Sequence, residues 1–195
     1  KPILYPDSDV PIVEPENIGD TDTLGEKELR TLEIVKTAIQ NGERALIYTS
    51  WVRTDSQQKL KKLLTDEGYR TEILTDKIKT TDREEWVQKK LAAGMQVLIT
   101  NPSLVETGLD LNAFTTLVFY SMGYKLFTLR QASRRSWRIN QKAPAVKVYM
   151  LYYEDTMQQK CLKLMASKLA VAGLIEGNFS EEGLAAMSDV QDMTS

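Results

Sequence analysis

From residue 22 onward the apolar positions alternate between two rhythms. Stretches with helical spacing are separated by short, continuous apolar runs. Leu29, Leu32, Val35 and Ile39 recur every three or four residues and predict a helix with these side chains on its inner face. Thr23 with Glu26 suits a capping box at its start, and Asn41-Gly42 suits its end. The run from Arg44 to Thr49 predicts a strand. A helix from about Ser56 carries Leu60, Leu63 and Leu64 and stops at Gly68. Thr71 to Leu74 predicts a second strand. Asp82 and Glu85 suit another capping box, for a helix carrying Trp86, Val87 and Leu91 that stops at Gly94. Gln96 to Thr100 and Thr115 to Phe119 predict two more strands. A helix over about Tyr124 to Arg138 follows, then a fifth strand over Val146 to Leu151. A long amphipathic helix from about Asp155 to Ala172 carries Cys161, Leu162, Met165 and Leu169 on one side.

Apolar strands alternating with helices predict an α/β fold with a parallel sheet covered on both faces. Such sheets bind ligands beyond the C-terminal ends of their strands. The loops that matter are then those after Thr49, Leu74, Thr100 and Phe119. The chain divides into an acidic, proline-rich arm or linker (residues 1–21), an α/β lobe (22–153), and a bracing helix with a tail (154–195). Four of the six prolines, Pro2, Pro6, Pro11 and Pro15, lie in the arm. A start at Lys1 rather than Met reads as a piece of a longer protein.

Composition narrows the chemistry. The net charge is −2, but it is unevenly spread. Leu111 to Tyr153 holds seven basic residues and no acidic one, which points to an anion site on that segment. With no histidine and one cysteine, a zinc or other soft-metal site is not expected, and the usual general base is missing. A single cysteine, Cys161, allows no internal disulfide and suits a reducing compartment. No apolar run approaches the roughly 20 residues of a membrane span. The expected location is therefore inside the cell: the cytoplasm or nucleoid of a bacterium, or a eukaryotic nucleus.

The densest chemistry is in QASRRSWRINQ, Gln131 to Gln141. On a helix, Gln131, Arg135 and Arg138 fall at i, i+4 and i+7 and line one face. Two guanidiniums and an amide there offer many donors to phosphate oxygens. The spacing equally allows a solvated basic face, or arginines paired with distant carboxylates.

This run resembles the last helicase motif of Swi/Snf-type ATPases, Q-A-x-x-R-x-H-R-I-G-Q. Gln131, Ala132, Arg135, Arg138, Ile139 and Gln141 match; Trp137 and Asn140 replace His and Gly. VLITNPSLVETGLDLN, Val97 to Asn112, resembles the motif ending in Gly-Leu-Asp, with Gly108 and Asp110 matching and bulkier residues in the middle. GERALIYTSWV, Gly42 to Val52, resembles the strand that opens the second lobe. Asp76 to Arg83 resembles the D-G-S/T-x-x-x-x-R loop, with Lys77 and Ile78 as departures. Glu154, Thr156 and Lys160 match the start of the helix that follows. The order is preserved over roughly Glu26 to Leu184.

The resemblance implies a RecA-like three-layer α/β/α sandwich, the second motor lobe of a superfamily 2 DNA translocase. Arg135 and Arg138, with Gln131, would act as arginine fingers on ATP bound to a first lobe. Gly108, Asp110 and Gln141 would lie on the nucleotide side. Thr49, Ser50, Trp51, Arg53, Lys77, Lys79 and either Thr100 or Asn101 would follow the nucleic-acid backbone. Trp51 also reads as a core residue, and the two lysines as solvated. ATP and Mg2+ would be held by that first lobe, because the chain has no G-x-x-x-x-G-K-[ST] loop and no Asp-Glu magnesium box. The implied partners are the N-terminal RecA-like lobe and nucleic acid, with double-stranded DNA first. A strand-separating DNA or RNA helicase, and a non-catalytic phosphate- or nucleic-acid-binding α/β module, stand as alternatives. A flavodoxin-like receiver would need an acidic phosphoacceptor pocket, which the sequence does not offer.

Overall fold

Ala45, Leu46, Ile47 and Tyr48 are all fully buried, and four successive apolar side chains can be satisfied only in a strand covered on both faces. The computed structural model describes residues 3–4, 11–13, 24–49, 56–105, 109–121 and 146–164. Two short strands, β1 (Ile3–Leu4) and β2 (Pro11–Val13), pair antiparallel within the arm. The other five are β3 (Ala45–Tyr48), β4 (Thr71–Leu74), β5 (Val97–Thr100), β6 (Thr116–Phe119) and β7 (Lys147–Met150). They form one parallel sheet in the order β4-β5-β3-β6-β7.

Alternate side chains of each strand feed two cores. On one face Ala45, Ile47, Val97, Ile99 and Val118 meet α1 (Glu26–Gln40) and α2 (Ser56–Asp66) through Ile34, Val35, Leu60 and Leu64. On the other, Leu46, Tyr48, Leu98, Leu117 and Phe119 meet α3 (Arg83–Ala92) through Val87, and α4 (residues 157–164) through Cys161. Tyr48 and Phe119 stack there with ring centroids 4.9 Å apart. This is the expected three-layer α/β/α arrangement of the RecA-like fold.

Each of α1, α2 and α3 is followed by the glycine expected to stop it. At Gly94 the reason is the backbone conformation, since the Arg70 side-chain end nearby can move aside. The glycine's φ is +88°.

Both capping boxes are corrected by the structure. Gly25 is the N-cap of α1 and makes no side-chain cap; Thr23 lies outside the described residues. Asp82 is the N-cap of α3, but its carboxylate accepts from the Thr81 hydroxyl at 2.6 Å instead of capping the helix. On α1, Val35 is buried and Leu32 and Ile39 pack on the core as expected, but the face is corrected at Leu29 and is centred differently. Lys27, Thr31, Ile34, Val35 and Ala38 are its buried residues, and Leu29 is 51% exposed. The stripe is rotated because it admits a lysine and a threonine whose polar atoms find partners inside. Thr156 caps α4: its Oγ1 accepts the N–H of Gln158 at 3.2 Å. The helix predicted over 124–138, and the part of the last helix beyond residue 164, lie outside the described residues.

Candidate functional site

The sheet order sets the loops after β4, β5 and β3 side by side at its C-terminal end. The loop after β4 holds Asp76, Lys77 and Lys79 in solvent, while Ile78 between them packs on the core. A single inward side chain thus pins the loop and turns the flanking lysines outward. Arg83 secures it from behind. Only 8% exposed, Arg83 donates from Nε to the carbonyl of Ile78 at 3.1 Å and from Nη1 to the carbonyl of Leu104 at 2.9 Å. It therefore ties the loop after β4 to the loop after β5.

Thr100 and Asn101 part ways structurally. Thr100 is fully buried, and its hydroxyl donates to the carbonyl of Leu74 at 3.3 Å, joining the ends of β5 and β4. Asn101 is half-buried at the head of the 3-10 turn Pro102–Val105. Its Oδ1 accepts from the N–H of Ser103 at 2.9 Å and from the hydroxyl of Ser103 at 2.8 Å, which fixes the turn. The side-chain amide hydrogens of Asn101 remain chemically able to meet a phosphate oxygen. Thr49, at the end of β3, is fully buried and its Oγ1 accepts from Nε2 of Gln57 at 2.9 Å. Ser50, Trp51 and Arg53 lie outside the described residues.

Asp110 is half-buried between Leu109 and Leu111, both in the core. Its Oδ1 accepts from the N–H of Asn112 at 3.1 Å, and its own N–H donates to Oε2 of Glu84 at 2.8 Å. Asp110 is thereby brought beside the first turn of α3, next to the residue that secures the lysine loop. Gly108, Gln131, Arg135, Arg138 and Gln141 lie outside the described residues. No group of carboxylates and cysteine among the described residues could hold a metal. None of the described helices is long and apolar enough to cross a membrane.

One polar cluster went unread in the sequence. Lys27, 7% exposed, donates from Nζ to the carbonyl of Tyr120 at 3.2 Å, the carbonyl of Leu151 at 3.0 Å and Oε1 of Gln158 at 2.6 Å. Its ammonium stands 4.9 Å from the ring centroid of Tyr153 and 5.7 Å from that of Tyr120. Burial lowers its pKa to about 8, against which the neighbouring Glu28 charge works. The Tyr120 hydroxyl donates to Glu28 at 2.8 Å, and burial, then that bond, pushes the phenol well up from its ordinary value. Lys59 stands 3.8 Å from the same carboxylate. Tyr120 is where β6 hands the chain on to residues 122–145, so this cluster anchors the root of the basic segment. In the sequence Lys27 and Thr31 stand at i and i+4 in register with Ile34, Val35 and Ala38, but a lysine there reads as a polar position.

The family model described as the helicase conserved C-terminal domain matches residues 27–140, from this lysine to the end of the arginine run. The chain belongs to the helicase C-terminal domain family. Solved structures carry the same fold. The C-terminal part of the Fun30 ATPase domain superposes with a TM-score of 0.64 at 20% identity, over 71% of this chain and 44% of that one. This helicase domain thus spans less than half of that structure. The C-terminal domain of the DEAD-box protein Dbp5 superposes with a TM-score of 0.57 at 17% identity, over 77% of this chain and 82% of that one. No curated protein matches it.

Proposed function

We propose that this domain is the second motor lobe of a Swi/Snf-type, ATP-dependent translocase on double-stranded DNA. Supporting it most is that the exposed Lys77 and Lys79 loop and Asp110 are tied to adjacent residues of α3, Arg83 and Glu84, within a helicase C-terminal domain. Lys77 and Lys79 supply the charge that holds a phosphate backbone, and Asn101 rather than Thr100 adds a directional contact. Thr49 and Thr100 shape the loops from within, and Ser50, Trp51 and Arg53 are proposed as further contacts to the backbone. Gly108, Asp110 and Gln141 face the nucleotide.

ATP and Mg2+ are held by an N-terminal RecA-like lobe, and when bound they supply the phosphoryl group and its charge neutralisation. Arg135 and Arg138, together with Gln131, stabilise the charge that spreads over the transferring phosphoryl group. Alone, this lobe turns over essentially no ATP.

The test is ATP turnover by the two-lobe protein with duplex DNA, single-stranded DNA or RNA, for wild type and Arg135→Ala. An arginine finger is worth roughly 10³–10⁵ in turnover, so a loss of at least about a hundredfold is expected. A variant that keeps its turnover, or a wild type that no nucleic acid stimulates, would overturn the reading in favour of a phosphate-binding module. Strongest stimulation by RNA, or strand separation, would assign the lobe to an unwinding helicase instead.

A further inference from the structure

The first two residues of α3 reach the loop after β4 and two separate points of the connection between β5 and β6. Arg83 bonds the carbonyls of Ile78 and Leu104, in the loops after β4 and β5. Glu84 accepts the main-chain N–H of Asp110 on Oε2 at 2.8 Å and Nε2 of Gln88 on Oε1 at 3.2 Å. Successive helical residues point about 100° apart, so one dipeptide can serve loops on two sides.

Segment 109–112 needs such a tether. Leu109 and Leu111 are 4% and 0% exposed and fix its depth in the core. Asp110 turns back on its own segment through the N–H of Asn112. Neither feature sets which way the peptide group at 110 faces; an acceptor from outside does. Glu84 is well suited, being a carboxylate in the first turn of a helix, where the helix dipole favours its charge, and an ionised acceptor makes the stronger bond.

We propose that Glu84 is a positioning residue which, through the N–H of Asp110, keeps the Gly-Leu-Asp segment in register with the Lys77–Lys79 loop secured by adjacent Arg83. It acts through Asp110 and touches neither ligand. In function, the pair Arg83-Glu84 is the joint at which grip on nucleic acid and contact with nucleotide stay aligned. This role rests on the motor-lobe reading.

The experiment compares wild type, Glu84→Ala and Glu84→Gln in the two-lobe protein. It reads amide hydrogen exchange at Asp110 and the fold-stimulation of ATP turnover by duplex DNA. The alanine variant is expected to exchange about tenfold faster at that amide, the equivalent of one hydrogen bond. Its stimulation should fall about tenfold, as a misplaced contact segment requires. Glutamine keeps the accepting oxygen and should restore both to within about threefold. Unchanged exchange or stimulation in Glu84→Ala, or a glutamine variant as impaired as alanine, would overturn the proposal. A wild type that no nucleic acid stimulates sinks the motor reading, while the exchange rates still decide whether Glu84 orients the segment.

Discussion

Nζ of Lys27 lies 2.6 Å from Oε1 of Gln158, across 131 positions of sequence. One ammonium thus joins the first turn of α1 to the first turn of α4 and to the ends of β6 and β7. Lys27→Met preserves much of the stem volume but strips donors from two main-chain carbonyls and an amide. It should destabilise the domain by about 2 kcal/mol or more at neutral pH, read from urea unfolding midpoints. A loss below about 0.5 kcal/mol would show that water replaces the ammonium without cost.

The same lysine makes stability depend on pH. Its pKa is lowered to about 8 in the fold, against 10.5 as the ordinary value. Between those limits the unfolded chain binds the proton more tightly than the folded one, so stability rises with pH across the window. The contribution from this group is up to about 3 kcal/mol, complete only above the upper limit. Wild type should therefore gain on Lys27→Met as pH increases from about 7.5 to 10. Parallel stability profiles would refute the shift.

Lys77 and Lys79 are exposed and make no contribution to the core. Replacing both with alanine should change stability by less than about 0.5 kcal/mol. If both lie on phosphates of duplex DNA, the slope of log affinity against log salt should fall by about 1.8. Titrations of the two-lobe protein at several salt concentrations decide it; an unchanged slope removes the lysines from the interface.

Arg83→Lys keeps the charge and loses the fork. A lysine cannot reproduce the divergent Nε and Nη1 bonds to Ile78 and Leu104. The expected cost is about 1–3 kcal/mol of stability, with faster amide exchange in both loops. Wild-type exchange in Arg83→Lys would mean that packing of Ile78 alone secures them.

The sheet was readable because its central strands are short apolar runs and α1, α2 and α3 are each followed by a glycine; the ends of the five parallel strands fall within a residue of those expected. α2 starts at Ser56 as expected, but the side-chain caps were not readable, because Ser, Thr, Asp and Glu near a helix end match the capping pattern whether or not they cap. Asp82 fits the pattern and bonds Thr81 instead. The rotation of α1 was hidden because a lysine counts as polar in any periodicity, yet Lys27 is buried by partners from β6, β7 and α4. Such long-range partners leave no local trace. The loop residues were legible as a class, from their place after parallel strands. Which of Thr100 and Asn101 faces outward was not, since a strand's last residue differs from a loop's first only by where the sheet stops.

Neighbouring strands in a sheet stand about 4.8 Å apart, so the C-terminal ends of β4, β5 and β3, from which these loops spring, span about 10 Å. That is the rise of about three phosphates along one strand of a duplex. A backbone held by these loops is held over a very short footprint. Because β4, β5 and β3 are joined by an unbroken parallel ladder, under the proposed motor-lobe reading that footprint would move as one unit rather than loop by loop, like a rigid pawl.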